Sequence, residues 1–89
     1  MVSNRVMGRL VKLWKSTETL HSVAYRYGAE QNCTGLLVID KQSGLVSGIE
    51  PVPGMSADDS WFLYGMLAKA KTEKMFKLRD FPDEASMAA

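Results

Sequence analysis

The strongest apolar run in the chain is residues 34–40, TGLLVID. It is short, rich in Leu, Val and Ile, and bounded by turn-forming residues, which predicts a buried strand. Lys41, Gln42, Ser43 and Gly44 follow. Gly44 can supply the positive φ of a short hairpin loop. Residues 45–50 are expected as the returning strand, stopped by Pro51, Pro53 and Gly54, because proline cannot donate to a ladder. A second pattern starts at Ser56. Ser56 and Asp59 fit a capping box, and Asp58 places negative charge at the positive end of a helix. Phe62, Leu63, Met66, Leu67 and Ala70 then fall at helical spacing, with Lys69, Lys71 and Lys74 in the later turns. This predicts a helix over 57–72. An earlier helix is expected over 17–27, capped by Ser16 or Thr17. Its apolar stripe is Leu20, Val23, Ala24 and Tyr27, and Gly28 stands where a left-handed cap belongs.

Two segments fit either period. In residues 5–14, Val6, Met7, Leu10, Val11 and Trp14 share a helical stripe, yet the segment also suits a strand. Residues 74–81, KMFKLRDF, alternate apolar and charged positions but can also extend the preceding helix. A two-stranded sheet is marginal alone. Reading both segments as strands gives four strands and two covering helices in the order β-α-β-β-α-β. The expected fold is therefore an α+β, ferredoxin-like two-layer sandwich. The alternative is α-α-β-β-α with residues 4–14 helical. Residues 1–82 form the expected single domain, and 83–89 a flexible tail.

Composition narrows the class. The chain has 89 residues, 46% of them apolar and 24% charged, which is ordinary for a globular domain. No apolar run approaches the ~20 residues of a membrane span. The first 14 residues interleave Arg5, Arg9 and Lys12 with apolar positions, unlike a secretory leader. Cys33 is the lone cysteine, so no internal disulfide forms and a reducing, cytoplasmic setting is the expectation. Net charge is +1, but the charge is segregated. Residues 1–29 hold Arg5, Arg9, Lys12, Lys15 and Arg26 against Glu18, and residues 69–79 hold Lys69, Lys71, Lys74, Lys77 and Arg79 against Glu73. The middle of the chain is acidic.

Chemistry-bearing patterns are sparse. A catalytic thiol needs a base, and His21 is the single histidine available to Cys33. A lone cysteine is more often a small buried hydrophobe. Asp58 and Asp59 are explained by helix capping, and Glu50 beside Pro51 by the end of a strand. A metal needs three or four ligands, and one Cys and one His do not supply them. Gly44, Gly48 and Gly54 lack the spacing of a phosphate cradle. No cofactor, metal or catalytic residue is assigned.

The stretch from Leu10 to Pro82 resembles BLUF flavin domains, which have a ferredoxin-like core. The matching residues are Leu10-Val11, Leu20-His21-Ser22-Val23, Asn32, Thr34-Gly35-Leu36-Leu37, Gly44, Ile49-Glu50 and Leu63-Tyr64. Lys12 stands where that family has its flavin-coupled tyrosine, and Ser47 where it has a glutamine. The resemblance therefore implies the core and not the light chemistry. The hairpin also looks like that of acylphosphatases, without their arginine loop and with Asp40 in place of their asparagine. A helix-turn-helix match at Val23-Ala24, Gly28 and Leu37 would put residues 32–39 in the DNA groove. That segment has no basic side chain.

Under the ferredoxin-like expectation the first and last strands are neighbours and helices cover one face. The open face would then display Met7, Arg9, Val11 and Leu13 from the first strand, and Met75, Lys77, Arg79 and Phe81 from the last. Mixed apolar and cationic surfaces of this kind mark interaction sites. The expected function is a non-enzymatic, regulatory binding protein acting through a protein partner and forming a homodimer, such as a phage or mobile-element inhibitor of a host protein. The alternatives are a nucleic-acid binder using the basic segments, and a thiol enzyme using Cys33. A membrane role is not expected.

Overall fold

The computed structural model describes residues 10–88. Five strands and one helix follow in the order β-β-β-β-α-β: β1 (Leu10–Glu18), β2 (Ser22–Glu30), β3 (Cys33–Asp40), β4 (Val46–Glu50), α1 (57–78) and β5 (Glu84–Ala88). The sheet order is β4-β3-β2-β1-β5, with every neighbouring pair antiparallel. Strands β1 to β4 are a meander. Helix α1 then carries the chain across one face of the sheet to β5 on the far edge.

The fold class is α+β, and the central hairpin lies where expected. Asp40 accepts backbone N–H bonds from Gln42 and Ser43 at 2.8 and 2.9 Å, and Gly44 takes φ 78°. The helix start is also as expected: the Ser56 hydroxyl accepts from Asp59 N–H at 3.1 Å. The β-α-β-β-α-β order is not what forms, and neither is α-α-β-β-α. Residues 17–27, expected as a helix, complete β1 and make most of β2. Val23, Tyr25 and Tyr27 bury alternate side chains there, and this period of two outweighs the helical stripe. Residues 74–81, expected as a strand, continue α1 to Leu78. Arg79 then ends the helix at φ 54°, where Arg79 N–H reaches Phe76 O and Asp80 N–H reaches Met75 O. Residues 84–88, expected within a flexible tail, pair with β1 from Leu10↔Ala88 to Trp14↔Glu84.

The core lies between the sheet and α1. The sheet contributes Val11, Leu13, Val23, Tyr25, Tyr27, Leu37, Ile39 and Val46, and the helix Ala68 and Met75. Along α1 the buried residues are Ser60, Gly65, Ala68, Thr72 and Met75. The step from Ser60 to Gly65 is five residues, which an α-helix cannot keep on one face. A π turn at Trp61–Gly65, with Met66 N–H bonded to Trp61 O, restores the alignment. The Trp61 indole fills the gap this opens, between Gly48 of β4 and Gly65, where a Cβ would meet its ring. It packs edge-on to Tyr27 with ring centroids 6.2 Å apart.

Candidate interaction surface

Helix α1 leaves the second face of the sheet open. Among the described residues no helix or strand lies over it. Strand alternation decides which side chains it shows. Val11, Leu13, Tyr25, Tyr27, Leu37 and Ile39 point to α1, so Lys12, Trp14, Ala24, Arg26, Leu36 and Val38 point away. The register aligns one row across all five strands: Glu84, Trp14, Arg26, Leu36, Glu50. Trp14, Arg26 and Leu36 are half-buried by their neighbours. Arg26 Nη1 reaches over Leu36 to Glu50 Oε1 at 3.2 Å. The adjacent row adds Ala24, Val38 and Ser47. The centre is thus apolar and aromatic, with carboxylates at both sheet edges and cations between them. A shallow hollow of about 280 Å³ lies beside Trp14, lined also by Lys12, Glu84, Ala85 and Ser86.

The residues expected on an open face do not gather there. Val11 and Leu13 are fully buried beneath α1, because the bounds of β1 turn these odd positions inward. Met75 is a core residue of α1. Lys77 is exposed in the last turn of the helix. Arg79 caps the helix, stacking its guanidinium 4.5 Å from the Phe76 ring centroid and donating to Lys41 O at 2.6 Å. Phe81 is half-buried against the core, with the Lys41 ammonium 5.8 Å from its ring centroid. Met7 and Arg9 lie outside the described residues. The expected pairing of the first strand with residues 74–81 does not form, because that segment ends the helix; β1 instead pairs with β5, which brings Glu84 and Ser86 to the face. Trp14, Arg26 and Leu36 carry no motif. Only the register reveals them as one row.

Other polar groups serve the scaffold. Glu18 accepts from Lys15 Nζ and Lys41 Nζ, both at 2.7 Å, and these bonds lower its pKa to about 2. The same bond to Glu18 raises the pKa of Lys15, which also lies 3.5 Å from Asp83. Backbone N–H bonds from Ser43 and Gln42 hold Asp40 below the usual carboxylate range. Burial pushes the Tyr25 phenol up, and its hydroxyl donates to Pro82 O at 2.7 Å, fixing the approach to β5. Ser60 Oγ accepts from Val52 N–H at 2.7 Å and lies 3.3 Å from the Tyr27 hydroxyl. Every buried side-chain nitrogen and oxygen among the described residues has a hydrogen-bond partner.

Cys33 is half-buried, with its Sγ 3.7 Å from Pro53 O, while His21 is exposed between β1 and β2. Among the described residues, no group of three or more His, Cys, Asp or Glu is placed to hold a metal. No described helix is long and apolar enough to cross a membrane. A cleft of about 400 Å³ between β4 and α1 is lined by Tyr27, Trp61, Ile49, Glu50 and Asp58 among others. Its walls are the packing of the π turn already described. Compared with known proteins, the chain matches no family model, no curated protein and no solved structure.

Proposed function

We propose that this is a non-enzymatic, regulatory protein-binding module whose contact surface is the uncovered face of the sheet. One observation carries the reading: an unbroken row over five strands presents Trp14 and Leu36 with Arg26 between them, and no described element covers it. Aromatic residues and arginine are enriched at the centres of protein contacts. A four-stranded sheet that reads single-stranded RNA normally offers two or three stacking aromatics on central strands. Among the described residues Trp14 is the lone aromatic on this face, and the central strands offer Ala24, Leu36 and Val38 instead, which favours a protein.

The test is affinity capture from the native cell with the parent protein, Trp14→Asp and Leu36→Asp, each checked for parental circular dichroism. The reading expects a partner held by the parent and lost from both variants, with retention little changed between low and moderate salt. Equal retention by all three proteins would refute the face as the contact surface. Retention that is abolished by nuclease, or falls steeply with salt, would indicate nucleic acid instead.

A further inference from the structure

We propose that β5 is the pairing strand of a homodimer: two copies join their β5 edges antiparallel about a two-fold axis at Ser86, making one ten-stranded sheet from two five-stranded ones. The proposed contact lies on the sheet edge and leaves the centre of the uncovered face free, so it stands apart from the reading above.

The hydrogen-bond phase of β5 sets the geometry. Lys15 N–H donates to Asp83 O at 2.8 Å, in register with the β1–β5 ladder. In an antiparallel pair, alternate residues turn their N–H and C=O toward the same neighbour. Asp83, Ala85 and Met87 therefore face β1, and Glu84, Ser86 and Ala88 face outward. Those outward groups are a template for another strand.

The two sheet edges are not equivalent. β4 is interrupted at Ile49, where the register jumps from Leu36↔Glu50 to Leu37↔Gly48, and it runs into Pro51. A bulge and a proline are devices that discourage edge pairing. β5 is Glu-Ala-Ser-Met-Ala, with no bulge, proline or lysine. Three of its five residues, Ala85, Ser86 and Ala88, are small, including the one on the proposed axis.

The sequence of β5 also fits its own reverse. A two-fold at Ser86 places Glu84 opposite Ala88 and Ala85 opposite Met87 of the other copy. No like charges then face one another, and all three outward residues of each strand are used, giving about six backbone hydrogen bonds, two from each facing pair. A two-fold at Glu84 would set carboxylate against carboxylate. On the open face, Lys12 neighbours Ser86 across the β1–β5 ladder. The two-fold carries Lys12 of one copy within reach of Glu84 of the other, across an intervening strand. That span is diagonal, one pair along from the row of Lys12 and Ser86, and so somewhat longer than the straight Arg26–Glu50 span within one sheet. On the helix side, Leu78 is 67% exposed beside a groove of about 320 Å³ between α1 and β5. Met87 of the second copy would lie over its mouth, next to Ala85.

The contact is small. Two five-residue strands bury less than the ~1,200 Å² of a standard stable interface, so association is expected to be weak and concentration-dependent. Ser86→Pro tests it directly, because the lost N–H is one that points away from β1. Sedimentation velocity from about 10 µM to about 500 µM should show the parent moving toward dimer while Ser86→Pro stays monomeric with an unchanged unfolding transition. Leu36→Asp, separated from β5 by two strands, should dimerise like the parent. In parallel, the Ser86 and Ala88 amides of the parent should exchange about tenfold more slowly at the higher concentration. A parent that is monomeric throughout, or a Ser86→Pro protein that dimerises like the parent, overturns the proposal. If Ser86→Pro unfolds, the exchange measurement decides, and rates independent of concentration overturn it.

Discussion

Gly65→Ala should destabilise the protein although it improves helix propensity. In a helix interior, alanine is favoured over glycine by about 0.8–1.0 kcal/mol. At this position a Cβ would sit 2.7 Å from Trp61 Cδ2 and 2.9 Å from Cζ3. Gly48 of β4 also approaches this ring, close enough that a Cβ there would meet Cε3 and Cζ3 at 2.8 Å, so the indole has little room in which to shift. Forcing extra volume into a packed site costs about 1–3 kcal/mol. The difference is a net loss of about 1 kcal/mol, or about 4–8 °C in Tm for a domain of this size. Urea melts followed by circular dichroism on the parent, Gly65→Ala, Trp61→Ala and the double variant give the measurement. With the ring removed, Gly65→Ala should stabilise by about 1 kcal/mol, so the cycle should return a coupling of about 2 kcal/mol. A Gly65→Ala protein at least as stable as the parent, or the same effect in both backgrounds, would refute the packing argument.

The pH dependence of stability follows from Glu18, whose pKa falls from 4.5 to about 2 through its bonds to Lys15 and Lys41. A carboxyl held low in the folded state stabilises above its unfolded pKa and loses that contribution as pH falls through the folded value. Urea midpoints should therefore decline between about pH 4.5 and about pH 2, and Glu18→Gln should flatten that limb, while an unchanged limb would remove Glu18 as the cause. At the end of α1, Arg79→Ala loses the Phe76 stacking and the bond to Lys41 O while keeping the left-handed backbone. Arg79→Gly relieves that backbone, so its melting point should correspond to a protein about 1 kcal/mol more stable than the alanine variant. Ser60→Ala strands the buried Val52 N–H and should cost about 1–3 kcal/mol in a denaturant melt.

The β3–β4 hairpin and the start of α1 were legible because their signals are local: Asp40 and Gly44 close one turn, and Ser56 caps one helix. Residues 17–27 carried two periods at once. The stripe through Leu20, Val23, Ala24 and Tyr27 suggested a helix, whereas Val23, Tyr25 and Tyr27 form the set that is buried, with Leu20 84% exposed in the turn. In residues 74–81 the alternation was coincidental. Met75 continues a helical series through Ala68 and Thr72 that only the π turn brings onto the core face. β5 has little strand propensity of its own, lacking any β-branched or aromatic residue, and its ladder with β1 makes it a strand. The uncovered row was hidden for the same reason, since residues as far apart as Trp14 and Glu84 become neighbours only through pairing.

The π turn has a consequence for how the chain tolerates length changes. It holds one residue more than the helix needs, so deleting Phe62, which is 76% exposed, would shorten the step from Ser60 to Gly65 to four and leave an ordinary α-helix in unbroken phase. Removing another exposed residue further along, such as Ala70, has no such reserve. It would rotate the last turns by about 100° and take Thr72 and Met75 out of the core. Trp61–Gly65 is thus the segment of α1 where a single deletion is expected to be absorbed, and sheet amide shifts in the two deletion variants would distinguish the cases.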